Sequence, residues 1–307
     1  MNYSYPDKHS IRIGTMAGKG PKTAAYIKDL IPMGFESFQV NFWRNLGGVN
    51  LQALAAELRP MLEASKTVVS SLGVYGNPLG DLEEDAATRD GFKAAIDAAP
   101  DFGCDLVCGF SGRVRNASVP DSIPRLKEIW APLLERAAER KVRIAYENCP
   151  MGGNWKSGDW NIAFNPDAWE LIFQALSAAN LGLEWEPCHQ LCELVDPLPQ
   201  LREWVSKVFH VHGKDASVYR DIVARYGIAS PRPIAHHRHP GFGDTNWTDV
   251  ISLLRAGGFR GSIDIEGWHD PVYRDDLELT GQCHALHYLK SCRGGDFVPN
   301  PTSGQAE

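Results

Sequence analysis

A chain of 307 residues with 43% hydrophobic content has enough apolar material for one large core and is near the upper length of a single α/β barrel, so length forces no second domain. A net charge of -7 provides no basic field for a polyanion, which argues against nucleic acid as a partner. The start, Met1 to His9, lacks a basic flank and apolar core, no apolar run approaches a membrane span, and seven cysteines read better as reduced thiols than as a disulfide framework; the expectation is a cytoplasmic protein without membrane contact.

Strand-like and helix-like segments then alternate from end to end. Strands are predicted over 11–14, 37–41, 67–72 and 105–110, and helices over 22–33, 51–65, 86–99 and 124–140. The second half continues with strands over 142–147, 181–186, 208–212 and 262–266, and helices over 166–179, 198–205, 247–256 and 275–291. Asn165 before Pro166 is a good helix start, and Gly257-Gly258 a good stop. This is the βα repeat of a single (β/α)8 TIM barrel over residues 1–293, followed by a poorly ordered tail over 294–307 rich in Gly, Pro, Ser and Thr. A doubly wound open sheet would alternate in the same way, but Gly14-Thr-Met-Ala-Gly18-Lys-Gly20 lacks the spacing of a dinucleotide fingerprint.

The last four strands carry the chemistry, and nine of the ten histidines lie beyond position 188. With period two, Ile144, Tyr146, Leu183, Trp185, Phe209, Val211, Ile263 and Ile265 share the side to be covered by helices. Arg143, Glu147, Glu184, Glu186, His210, His212, Asp264 and Glu266 share the other. In a closed barrel the terminal members Glu147, Glu186, His212 and Glu266 converge, and mutually repelling carboxylates at one point need a cation. Three carboxylates and one imidazole suit Mn2+ first, with Mg2+ or Co2+ as the other ions of that kind.

The blander readings are a salt-bridged barrel carboxylate for Glu147 and Glu266, with Arg143 as a partner, and Glu184 as a competing ligand for Glu186. Arg143, Glu184, His210 and Asp264 are expected as a paired polar layer beneath the metal, with His210 and Glu184 supporting the ligands from below. Lys214 is either a substrate contact or a solvated loop charge. Arg238 is either an anion-binding group or part of a solvated basic loop. Trp43, Trp155, Trp160 and Trp268 fall in predicted carboxyl-end loops, where indoles stack on sugar faces, while Trp130, Trp169 and Trp204 belong to helices and the core.

The motifs Tyr146-Glu-Asn148, Glu186-Pro-Cys-His189, Val211-His-Gly-Lys-Asp215, Pro240-Gly-Phe-Gly-Asp-Thr-Asn-Trp247 and Ile263-Asp-Ile-Glu266, taken in order, resemble those of the xylose isomerase-like TIM barrel superfamily of sugar phosphate isomerases and epimerases. The resemblance implies metal ligation by Glu147, Glu186, His212 and Glu266, a substrate oxygen on His189, and proton exchange by Glu147 and Glu266 from opposite faces of the substrate. It implies a metal-dependent isomerase or epimerase of a sugar, keto-sugar or inositol derivative, working through an enediolate; on the residues' own chemistry, Lys214, Arg238 and Trp268 are added as candidate substrate contacts. Many relatives are oligomers, so a homo-oligomer is allowed for. Two departures stand out: Glu186 replaces the usual aspartate, and Val218 stands where ketose 3-epimerases carry an arginine, with Arg220 two residues on.

Rival readings share the barrel. A lyase, decarboxylase or 3-keto-glycoside-cleaving enzyme keeps the site and expels a fragment. An apurinic endonuclease would need a basic rim, and a metal-free sugar-binding barrel would hold no ion.

Overall fold

The computed structural model describes residues 11–267 and 269–299. Eight parallel strands close into a barrel: β1 (Arg12–Met16), β2 (Ser37–Trp43), β3 (Val68–Tyr75), β4 (Leu106–Gly109), β5 (Arg143–Glu147), β6 (Leu181–Trp185), β7 (Val208–Gly213) and, after a two-stranded antiparallel excursion of β8 (Asp215–Val218) and β9 (Ala235–Arg238), β10 (Ser262–Ile265). Their order around the barrel is β1-β10-β7-β6-β5-β4-β3-β2, and β2 pairs back to β1. The (β/α)8 expectation holds, and the open sheet is excluded by closure.

The helices are α1 (Thr23–Leu30), α2 (Leu51–Ser65), α3 (Glu83–Ala98), α4 (Val119–Glu139), α5 (Pro166–Ala175), α6 (Cys188–Cys192), α7 (Pro197–Trp204), α8 (Arg220–Tyr226), α9 (Trp247–Ala256) and α10 (Glu278–Cys292). Local chemistry sets their ends. Asn165 accepts from the Ala168 N–H at 3.0 Å and starts α5 as expected. Helix α4 begins before the expected position 124, because Ser118 accepts from the Asp121 N–H and Pro120 occupies the first turn. Left-handed Gly258 follows the end of α9.

The outward-facing residues of β5, β6, β7 and β10, including Tyr146, Trp185, Val211 and Ile265, are buried under the helices in one core with Trp130 and Trp169. Trp204 is half-buried and stacks on Phe173. Phe209 corrects the period-two reading. A bulge in β7 lets Leu183 pair with Val208 but Glu184 with His210, so the extra residue Phe209 packs inside the barrel on Leu106, Cys108 and Ala145. Room for its ring comes from Gly182, where a Cβ would meet the ring at 2.5 Å. Arg143 is a second correction. Its guanidinium turns to Asp105 at the amino end of the barrel (2.8 Å), over the Phe209 ring, and so belongs neither to the layer beneath the metal nor to a bridge with Glu147.

No described helix is long and apolar enough to cross a membrane. Of the expected tail, residues 300–307 lie outside the described residues.

Candidate functional site

Strands β5, β6, β7 and β10 are contiguous around the barrel, and at their carboxyl ends Glu147, Glu186, His212 and Glu266 bring one donor atom each within 4.8 Å of one another, all buried. His212 Nδ1 lies 3.1 Å from Glu147 Oε1 and 3.3 Å from Glu266 Oε2. Its Nε2 faces Gln39 Oε1 at 2.9 Å and Glu184 Oε1 at 3.1 Å. Donation from Nε2 to these acceptors leaves the Nδ1 lone pair aimed at the carboxylates, the tautomer that a cation there requires.

The donor set fits a divalent cation. Neither Glu186 Oε1 nor Glu266 Oε2 receives a well-formed hydrogen bond despite burial. Burial and the Glu186 charge together push the Glu147 carboxyl well above the usual range. Burial would do the same to Glu186, but His189 and Lys214 hold it down at about 2. Glu266 is likewise kept low against burial, by Lys214 and then His212. Burial would push the His212 imidazolium down, and the surrounding carboxylates, Glu184 foremost, raise it well above its ordinary value. Three carboxylates in so small and dry a space cannot all stay ionised without nearby positive charge; Lys214 and the imidazoles supply part of it, and the oxygen and imidazole donors could take a hard cation for the rest.

Beneath this ring runs the layer that fixes it. Glu184 receives Gln39 Nε2 at 2.6 Å and the Tyr75 hydroxyl at 2.8 Å. His210 spans Glu184 Oε1 at 2.9 Å and Asp264 Oδ2 at 2.8 Å, and Asp264 in turn accepts from Ser37 at 2.6 Å and from Ser70. Glu184 and His210 therefore lie a layer deeper, as expected, with every polar atom engaged. That leaves Glu186, and not Glu184, in the upper ring.

Lys214 is buried, not solvated, and its Nζ lies 2.7 Å from Glu266 Oε1 and 3.9 Å from Glu186 Oε2. His189 Nε2 sits 2.6 Å from Glu186 Oε1, and Cys188 and His237 offer donor atoms beside it. Arg238 departs from the expected substrate contact: its guanidinium pairs with Asp270 at 3.1 Å and lies over Phe242, away from the cavity. Trp268 lies outside the described residues.

A cavity of about 660 Å³ opens over one side of the ring, lined at its floor by Glu147, Glu266 and Lys214 and farther out by Trp43, Leu46 and Phe110. Trp43 and Trp160 stack at 5.6 Å, whereas Trp155 stands apart, partly exposed. Sequence reasoning missed Gln39 and Tyr75. Gln39 carried one signal, its place with Ser37 and Asn41 on the polar side of an alternating strand; Tyr75 carried none, because it lies past the expected end of its strand.

A family model described as xylose isomerase-like TIM barrel matches residues 27–290. The uncharacterised protein YfiH of Bacillus subtilis is 25% identical over 244 residues, covering 68% of this chain and 74% of that protein. Among solved structures, the 3-keto-D-glucoside 4-epimerase YcjR of E. coli superposes with a TM-score of 0.64 at 15% identity, over 92% of this chain and all of that one. A xylose isomerase-like TIM barrel protein from Mycobacterium smegmatis in complex with magnesium does so with a TM-score of 0.65 at 14% identity, over 94% and 99% of the two chains. At such identities the superpositions speak for the fold.

Proposed function

Since the chain belongs to the xylose isomerase-like TIM barrel family, we propose that it is a divalent-metal-dependent isomerase or epimerase of a sugar, keto-sugar or inositol derivative. The observation that carries the reading is the buried convergence of Glu147, Glu186, His212 and Glu266 at the floor of a cavity that two of them, Glu147 and Glu266, also line. The family's sugar epimerases, among them the E. coli glucoside epimerase, are consistent with it.

These four residues would hold the ion, Mn2+ in the first instance, with Mg2+ or Co2+ as alternatives. Bound there, a divalent cation supplies Lewis-acid stabilisation for the negative charge that develops when a proton leaves the carbon beside a carbonyl. The chain's own groups do the rest. Lys214 anchors Oε1 of Glu266, leaving Oε2 turned towards His212. The same nitrogen, His212 Nδ1, lies 3.1 Å from Glu147 Oε1, so the two carboxylates flank one imidazole nitrogen. A carbon seated between them can lose its proton to one carboxylate and regain one from the other, which inverts its configuration. Lys214, at the cavity floor, and His189, beside Glu186 but outside the cavity lining, are proposed to contact substrate oxygens.

The test is incubation of the manganese-loaded protein with ketoses and 3-keto-glycosides in deuterated water. Deuterium in a rearranged sugar is expected, and Glu147→Gln or Glu266→Gln should lower exchange by at least about 100-fold. Release of a fragment without rearrangement would replace the isomerase by a lyase, decarboxylase or glycoside-cleaving enzyme acting at the same site. Neither exchange nor fragment release with any substrate would overturn both.

A further inference from the structure

The cavity is larger and more apolar than the reacting carbons of one sugar require. Cavities of roughly 300–1,000 Å³ enclose ligands of drug size, and this one, at about 660 Å³, lies in the middle of that range. A single hexose has only about a dozen non-hydrogen atoms and, seated at Glu147 and Glu266, leaves the outer wing unfilled.

That wing has a built wall. Trp43 remains 57% exposed although it lines the cavity. Trp160 backs it at 5.6 Å with the planes 26° apart, and Phe110 meets it edge to face at 6.5 Å. The Arg44 guanidinium lies over Trp160 and pairs with Glu84, locking the stack from behind. An indole so fixed, with more than half of its surface open, is organised to receive another ring. Among the described residues the wall shows no anion clamp. Lys214 and His269 both turn to Glu266, at 2.7 and 3.4 Å, and the Lys19 ammonium lies 5.0 Å over the Tyr26 ring.

We propose that the outer wing is a subsite for a second ring. The substrate is then an uncharged glycoside, a keto-sugar whose sugar end lies at Glu147 and Glu266 and whose appended ring stacks on Trp43. This rests on the sugar chemistry proposed above and adds to it the class of substrate. The shared chemistry is a flat, apolar-faced ring joined through a glycosidic bond, and both an aryl aglycone and a second sugar provide one.

Isothermal titration of the manganese-loaded full chain with methyl β-D-glucoside, phenyl β-D-glucoside and cellobiose separates these. At least one ringed probe is expected to bind about tenfold tighter than the methyl glucoside, and whichever gains more identifies the source of the ring. Trp43→Ala should erase the preference while keeping the wild-type circular dichroism spectrum, and Trp43→Phe should retain most of it. Equal or undetectable binding of all three probes, or a preference that survives Trp43→Ala, overturns the subsite. Intact ring preference with no deuterium exchange into any keto-sugar would support the subsite while overturning the proposed reaction.

Discussion

Replacing His210 by leucine tests whether the polar layer beneath the proposed metal site is held as one paired network. The imidazole is buried and bonds Glu184 at 2.9 Å and Asp264 at 2.8 Å. His210→Leu keeps the volume, removes both bonds and leaves two buried carboxylates without their shared partner. Breaking a buried charged pair in this way costs about 3–5 kcal/mol, because the stranded charge remains desolvated. Urea unfolding followed by ellipticity should show the loss as a fall in midpoint at unchanged slope. Adding Glu184→Gln and Asp264→Asn to His210→Leu removes the stranded charges, so the triple variant should regain about half of the loss or more. A single variant within about 1 kcal/mol of wild type, or a triple variant whose cost is the sum of its parts, would refute the reasoning.

Gly182→Ala would place a Cβ 2.5 Å from both the Phe209 ring and the Lys207 carbonyl oxygen; a loss of about 1–3 kcal/mol is expected in thermal unfolding, and an unshifted midpoint would show that the bulge relaxes freely. Burial works to raise the Glu36 carboxyl, but Arg293, bonded at 2.6 Å, holds it below the ordinary value. Its stabilisation is therefore present above the unfolded carboxylate pKa of about 4.3 and is lost as the pH falls through the folded pKa. The stability gap between wild type and Glu36→Gln should shrink in acid, and a gap that stays constant from neutral pH to about pH 3 contradicts the assignment. Chelation should lower the melting temperature and Mn2+ restore it, by about 2.7 kcal/mol at a hundredfold excess over the dissociation constant; Glu186→Ala should abolish the response, and a variant that still responds would remove Glu186 from the ligand set.

How much of this was legible in the sequence depended on whether a strand had two chemically different faces. In β5, β6 and β10 apolar and ionisable residues alternate cleanly, so period two assigned both the core and the upper ring. In β7 the same rule failed at Phe209, because a bulge adds a residue without changing composition. The β8–β9 hairpin was hidden for a related reason: Ala235–Arg238 is half-buried along its whole length and polar on both faces, leaving no alternation to detect. Strands β1 to β4 end in no carboxylate, so only the alternation within β2 hinted at Gln39 and nothing pointed to Tyr75, although both support the ring from across the barrel. The fate of Lys214 and Arg238 was beyond sequence, since whether a cation meets a substrate or a neighbouring carboxylate depends on which loops fold together.

The topology also separates the roles within the ring of four. The strands that carry its members form one arc, β10-β7-β6-β5, and the remaining arc, β4 to β1, contributes neutral hydrogen-bonding groups and the aromatic wall. Glu186 just past β6 and His212 on β7 sit in the middle of the charged arc, outside the cavity lining. Glu147 at the end of β5 and Glu266 just past β10 stand at its two ends, beside β4 and β1, and only these two members of the ring also line the cavity. A carboxylate in mid-arc can hold an ion but meets no substrate carbon from there. The two at the boundary would face the proposed ion on one side and do line the cavity on the other, from opposite edges of the arc. Proton transfer to and from one carbon needs two bases placed in that way, so the closure of the barrel, more than any property of glutamate itself, is what nominates this pair.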